Sequence, residues 1–366
     1  MLALDIGGAN LKAADGLGFA ASRFFPLWQQ PGELPAALAR LMAAAPAADR
    51  YVATMTGELA DCFATKAEGV AAILAALAAG AAGRETRVYL TDGSFVSPEE
   101  ALERPLSAAA SNWHALARFA GRFAPRGAGL LIDIGSTTCD VIPLVDGRPM
   151  AAGATDPDRL AAGELIYTGV VRSPVCAVAA ALPWRGKQTP TAHELFATTW
   201  DAYLTLGELP EEPDCTHTAD GRPATKAAAR DRLARAICAD RKMFDEADAL
   251  AAATAIARAQ LAKIAVAAQG VLRRLPAAPG TIVISGQGEF LARQLLDRMR
   301  LSAAIVSLRE QLGPELSRAA PAHALAVLAR EAGGAAHSAS RRRQPPGRSE
   351  SFSLIQTTSG NSCSRT

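Results

Sequence analysis

Two stretches of the chain are written to one plan. Leu2–Gly16 reads LALDIGGANLKAADG and Leu131–Gly147 reads LIDIGSTTCDVIPLVDG. Each gives a short apolar strand, an Asp-Ile-Gly turn with small polar residues, a second strand and an Asp-Gly turn. A hairpin that recurs once, at long range, points to two related α/β halves; a solenoid would repeat at a short fixed period. A length of 366 residues also suits two domains.

The periodicity between and after the hairpins alternates. Pro31–Ala45, Lys66–Ala79 and Ser111–Phe123 have helical period, the last starting at a Ser cap, while Arg50–Met55 and Thr86–Leu90 read as strands. An irregular stretch and a turn-rich insertion around Leu209–Pro223 follow. Then come helices at Thr225–Arg241 (Thr225 as cap) and Asp245–Leu275, a strand at Thr281–Ser285, and helices at Phe290–Arg300 and Ala320–Glu331. Strands alternating with helices predict α/β layers. The expected organisation is a first domain over 1–126 joined by a C-terminal helix 320–333, a second over 127–319 with an insertion at about 205–224, and a disordered tail over 334–366. That tail is rich in Ser, Arg, Gly and Pro and has almost no apolar period.

Apolar residues make up 49% of the chain, enough for a core in each half, and aromatics only 5%, so Ala-rich helices are expected against the sheets. The net charge is +2, but the tail holds five arginines against one glutamate. The body is therefore close to neutral and gives no electrostatic case for a nucleic-acid or membrane partner. The apolar run Gly69–Gly83 is too short to span a bilayer and reads as a buried helix. Six cysteines without metal-ligand spacing read as reduced thiols of a cytoplasmic protein. A strand at Met1–Ile6 leaves no room for a signal peptide.

In the first hairpin, Gly7 and Gly8 keep the turn free of Cβ atoms, so backbone N–H groups can approach phosphate oxygens, with Asn10 beside them. Asp5 at the strand end suits a hydrated Mg²⁺, and Lys12 offers a point charge. An ordinary glycine hairpin would look the same in isolation. The second hairpin shifts the balance: Gly135, Ser136, Thr137 and Thr138 supply amide and hydroxyl donors, and Asp133 a second carboxylate. Facing each other, the two turns would clamp a Mg-bound phosphate. Ser285-Gly286-Gln-Gly288-Glu289 ends a strand where a nucleotide's sugar or base could pass close to the backbone. The polar loop Thr54–Asp61, with Thr56, Glu58 and Asp61, and Lys66 just beyond, is placed for substrate contacts or for capping a helix. His114 reads as a core-edge histidine, Asp220 and Arg222 as a structural salt bridge, and Arg230–Arg241 as solvated helix surface. No GxxxxGK[ST] P-loop occurs.

Taken in order, the motifs resemble those of the actin/hexokinase/heat-shock-protein ATPase superfamily, two phosphate motifs and then an adenosine motif. More narrowly, DIGGANLK, TMTGELADCF, SNWHALA, DIGSTTCD and SGQGEFLA resemble tetrahydromethanopterin-linked one-carbon-transfer proteins. These are related to hydantoinase/oxoprolinase A domains and similar to archaeal methanofuran synthases. The resemblance covers about Met1–Glu331; the tail lacks it.

The resemblance implies an actin-like (ribonuclease-H-like) duplicated fold with mixed sheets. It also implies a transferase that joins a furanylmethyl diphosphate to a tyramine- or tyrosine-like phenol and releases diphosphate. On that reading Lys12 and Asp133 are the catalytic residues, Asp133 as base for the phenol, and Mg²⁺ is the cofactor, held by Asp5 and Asp133. The partner is a small phosphorylated substrate, and a homodimer is compatible. The competing reading is an ATP-dependent kinase or hydantoinase/oxoprolinase-like hydrolase of the same fold. A non-catalytic regulator ranks behind both, since no helix-turn-helix precedes the first strand.

Overall fold

Strand β1 (Leu2–Gly7) carries apolar residues at almost every position, a pattern only a strand buried on both faces can use. In the computed structural model, which describes residues 1–342 and the side chains of 1–334, β1 is indeed buried except at its last residue. It lies inside a sheet. On one side it pairs antiparallel with β2 (Asn10–Ala14), which pairs with β3 (Ala20–Phe24). On the other it runs parallel to β4 (Arg50–Thr56), followed by β5 (Glu85–Tyr89) and the short β6 (Phe95–Val96).

The second sheet repeats this layout. β7 (Ala128–Ile134) pairs antiparallel with β8 (Cys139–Val145), whose neighbours are β9 (Arg148–Pro149) and β10 (Leu165–Ile166). A separate hairpin, β11 (Ala181–Trp184) and β12 (Lys187–Pro190), intervenes. β13 (Thr281–Ser285) then pairs parallel with β7, and β14 (Ala304–Ser307) with β13. Thus β1 and β7 hold equivalent positions, each between an antiparallel hairpin partner and a parallel strand. This is the expected duplicated actin-like α/β fold, and it sets the two Asp-Ile-Gly turns at corresponding strand ends.

Helices cover the sheets. In the first half Leu34–Ala43 and Lys66–Ala81 bury Leu38, Leu41, Ile73 and Leu77 against Leu4, Ile6 and Met55. In the second, Glu246–Leu272 and Glu289–Met299 bury Ile264, Val271, Leu291 and Leu295 against Leu130, Ile132 and Ile282. Two further helices touch both sheets. Trp113 and Leu116 of Asn112–Ala120, with Ala324 of the C-terminal helix Ala320–Arg342, pack on Leu131, Ile142 and Val283. From the same pair of helices, Ala115, Leu325 and Ala326 pack on Ala3, Val52 and Tyr89. Alanine at these positions lets two sheets share one thin helical layer. Met1–Arg330 forms one compact unit; a second begins at Glu331 and is helical to Arg342. Most of the tail expected over 334–366 lies outside the described residues.

Several expectations are corrected. The charged face of Arg230–Arg241 is not solvated throughout: Arg232 is fully buried, its Nε 2.7 Å from Asp201. The helix there, Lys226–Arg235, is shorter than expected and stops before Cys238, which takes a left-handed φ of 58°. Thr225 does cap it. Ser111 precedes its helix but does not cap it; its hydroxyl lies 2.6 Å from Thr54 Oγ1, joining that helix to β4. The irregular stretch after the second hairpin contains a helix, Asp156–Ala162, capped by Thr155, and another at Thr199–Leu206. Among the described residues, Glu246–Leu272 is long and apolar enough to cross a membrane; its buried face includes the hydrogen-bonded Gln260 and packs into the second core. The five described cysteines are free.

Candidate active site at two facing hairpins

Cross-strand register places one charged residue opposite each turn aspartate. Asp5 faces Lys12 across β1 and β2, with Lys12 Nζ 3.7 Å from Asp5 Oδ2. Asp133 faces Asp140 across β7 and β8. Burial raises the Asp5 pKa while Lys12 pulls it back, and Asp5 Oδ1 is buried without a hydrogen-bond partner. Asp133 is pushed up to about 7 by burial and by its anionic neighbour Asp140; hydrogen bonding from Ser285 and the Lys12 charge oppose this. The Lys12 charge thus acts on both aspartates, which places the two turns close to each other.

Asp140 is held by Arg159, a fully buried side chain whose guanidinium also lies 4.1 Å from the centre of the Trp113 ring. Arg159 is 3.7 Å from Asp156, Asp156 is 2.7 Å from Lys66 Nζ, and Lys66 is 3.8 Å from Glu58. A chain of alternating charge therefore runs from the loop after β4 to the second hairpin. Glu58 is buried, its pKa pushed up to about 7 chiefly by desolvation against the pull of Lys66.

The second turn is braced from behind. Val170, Val171 and Arg172 donate backbone N–H bonds to the carbonyls of Gly135 and Ser136 at 2.9–3.0 Å. A Cβ on Gly169 would sit 2.4 Å from the Ser136 carbonyl carbon, so the two backbones meet where only glycine fits. Beneath them a buried network is fully paired. Tyr203 donates to Gln260, Gln260 donates to Thr168 Oγ1 and to the Gly169 carbonyl, and Thr199 Oγ1 donates to that same carbonyl. Satisfied networks of this kind fix a loop in one position.

The sequence-predicted residues divide accordingly. Asp5, Gly7, Gly8, Asn10 and Lys12 line the first turn; Asp133, Gly135, Ser136, Thr137 and Thr138 line the second. Gly286 and Gly288 stack on the second turn: Gly288 N donates to the Ile134 carbonyl at 2.9 Å, and a Cβ on Gly286 would lie 2.8 Å from Asp133 Oδ1. The Glu289 carboxylate turns instead to Ser307 Oγ (2.5 Å) and Arg309 N (2.9 Å), tying helix to strand. Thr56 closes β4, Glu58 and Lys66 belong to the ionic chain, and Asp61 is exposed outside it. His114 is a core-edge residue 2.9 Å from the Tyr89 hydroxyl. Asp220 and Arg222 join a structural cluster with Arg232, Arg235 and Asp231.

Arg159, Arg172, Trp28 and Gln260 escaped the sequence reading. For Arg159 a signal was present: Thr155-Asp-Pro-Asp-Arg159 is a cap followed by a proline-started helix, directly after the second hairpin.

A family model described as hydantoinase/oxoprolinase matches residues 49–331. Over 331 residues the chain is 34% identical to a curated protein of Methanocaldococcus jannaschii named (4-{4-[2-(gamma-L-glutamylamino)ethyl]phenoxymethyl}furan-2-yl)methanamine synthase; the match covers 90% of this chain and 97% of that one. A Methanococcus vannielii protein of the same name is 30% identical over 201 residues, 54% of this chain and 89% of its own. Among solved structures, the activator of 2-hydroxyisocaproyl-CoA dehydratase from Clostridium difficile aligns over 95% of this chain and 99% of its own, with 11% identity and a TM-score of 0.45.

Proposed function

The chain belongs to the hydantoinase/oxoprolinase family, and on that premise we propose that it is a cytoplasmic transferase of methanofuran-type cofactor synthesis. In this reaction the phenol oxygen of a glutamyl-tyramine-like acceptor attacks the methylene carbon of an aminomethylfuran methyl diphosphate. The carbon–oxygen bond to diphosphate breaks, the aryl ether forms, and the phenolic proton passes to a base. The observation that carries this reading is the near full-length likeness to a relative whose name spells out that phenoxymethyl–furan ether.

The cleft supports it residue by residue. The backbone at Gly7–Gly8 and Gly135–Thr138, with the hydroxyls of Ser136, Thr137 and Thr138, would take the phosphate oxygens, and Lys12 would answer the charge that grows on the leaving diphosphate. A hard divalent cation fits the donor set: Asp5 offers a buried oxygen with no hydrogen-bond partner. Mg²⁺ is commonly held by one or two carboxylates with the rest supplied by phosphate and water. When bound it would supply neutralisation of the diphosphate.

The two aspartates divide by their register partners. Asp5 has a cation opposite it and is assigned to the Mg²⁺ side. Asp133 has an anion opposite it and sits near 7, where a carboxylate can accept a proton at neutral pH; it is assigned as the phenol base. The deciding experiment incubates the full chain with Mg²⁺, an aminomethylfuran methyl diphosphate and γ-glutamyl-tyramine, and follows ether by mass spectrometry and diphosphate by coupled assay. Stoichiometric ether and diphosphate are expected. ATP turnover without ether would favour the kinase or hydrolase reading.

A further inference from the structure

We propose that Arg172 is a ligand of the diphosphate group, resting on the Trp28 ring until that group arrives. This builds on the function proposed above and adds a residue to its cleft.

Arg172 joins the two halves at the cleft. Its backbone N–H donates to the Ser136 carbonyl in the second phosphate turn at 2.9 Å. Its guanidinium lies 4.7 Å from the centre of the Trp28 ring in the first half. Trp28 follows Leu27, whose N–H donates to the Gly8 carbonyl of the first phosphate turn at 2.9 Å. One side chain therefore runs from beside one turn to a residue fastened beside the other.

Among the described residues no carboxylate lies within ion-pair distance of Arg172, whereas the buried Arg159 and Arg232 each pair with an aspartate. The Arg172 side chain is exposed enough to be reached from solvent; desolvation of its inner part lowers its pKa and Tyr167 opposes this. The backbone that carries it is held by Gly169 packed on Ser136 and by the Gln260–Thr168–Thr199 network. A positioned, unpaired guanidinium beside an anion-binding turn is suited to bidentate phosphate binding. Such a contact outweighs a cation–π contact at a solvent-open site, so an arriving diphosphate would draw the guanidinium off Trp28.

The test uses the full chain, Mg²⁺ and inorganic diphosphate, read by calorimetry and by tryptophan fluorescence, with Mg-ADP as a second arm. Arg172→Gln is expected to weaken Mg-diphosphate binding at least about tenfold at unchanged melting temperature, and Arg172→Lys to fall between. Diphosphate should change the parent's fluorescence; Trp28→Phe should keep the affinity and lose that change. Parent-like diphosphate affinity in both Arg172 variants would overturn the proposal and leave the proposed function standing. So would a loss confined to ADP. A parent that binds no Mg-diphosphate would overturn the functional reading itself, and this one with it.

Discussion

Lys12 and Asp140 occupy the same register in the two halves, each the cross-strand partner of the turn aspartate in its own hairpin. The duplication keeps the aspartate and inverts the sign of its partner. Asp140 has its charge met by the buried Arg159, whereas Lys12 keeps about a quarter of its side chain open to solvent at the cleft. One partner is tied into the protein by a second ion pair, and the other meets only its own turn aspartate and the solvent.

Lys12→Met should therefore lower turnover about 10²-fold to 10³-fold, the loss typical of removing one electrostatic contact to a developing anion. Thermal stability should fall as well, because the buried Asp5 loses the cation opposite it, so turnover is compared well below the variant's melting temperature. Steady-state kinetics beside a melting curve decides it. Near-normal turnover would mean that the first hairpin holds phosphate by backbone alone.

Much of this cleft was legible because its parts are local. Asp5 to Lys12 and Asp133 to Asp140 are single hairpins, and their spacing alone fixes which residues face one another across a two-residue period. Strands such as β1 and β7 announced themselves by apolar runs broken only by their aspartates and glycines. Arg159 and Arg172 were not legible, since what distinguishes them is tertiary. Arg159 is read by its burial between Asp140 and Trp113, Arg172 by a missing counter-ion and a ring from the other half. Arg232 misled for the same reason: its helix is charged all round, and only the fold reveals the Asp201 that buries it. The short edge strand β3 carries too little pattern to stand out from its loop.

Arg159→Met should be strongly destabilising. Arg159 is fully buried and meets both Asp140 and Asp156. Removing it leaves Asp140 unpaired beside Asp133, and breaking a buried pair from one side costs roughly 3–5 kcal/mol. Urea unfolding measures the loss. Adding Asp140→Leu should recover part of it, because the stranded charge goes too. A single variant as stable as the parent would show that Asp140 does not need its arginine.

Stability should also report on His114. Burial, with the Arg118 charge adding to it, pulls its pKa down to about 4 from the usual 6.5. Below 6.5 the unfolded chain takes up a proton that the folded imidazole refuses. The contribution is therefore fully present above 6.5 and is lost as pH falls toward 4, by at most about 3 kcal/mol. His114→Phe gives up the Tyr89 hydrogen bond at neutral pH, yet should show a flatter decline between pH 7 and 4.5 in urea titrations. Identical slopes for parent and variant would assign the acid sensitivity to other groups.

The position of the second turn hangs on Gly169. Its backbone presses on Ser136 so closely that an added methyl would lie 2.4 Å from both the Ser136 carbonyl carbon and the Thr137 nitrogen. Those atoms are main chain and cannot rotate away, so Gly169→Ala must push the 168–173 loop off the turn. The hydrogen bonds from Val170, Val171 and Arg172 to Gly135 and Ser136 would lengthen with it. Because the donors of that turn are the ones assigned to phosphate, Mg-diphosphate affinity should drop at least about tenfold while the first half stays intact. The matching control is Gly18→Ala, at an open position where an added methyl meets nothing within 4 Å; it should bind and melt like the parent. Calorimetry on the two variants separates a turn held in place by backbone packing from one that is positioned by its own sequence. If Gly169→Ala bound diphosphate as tightly as Gly18→Ala, the loop behind the turn would have no part in shaping the site.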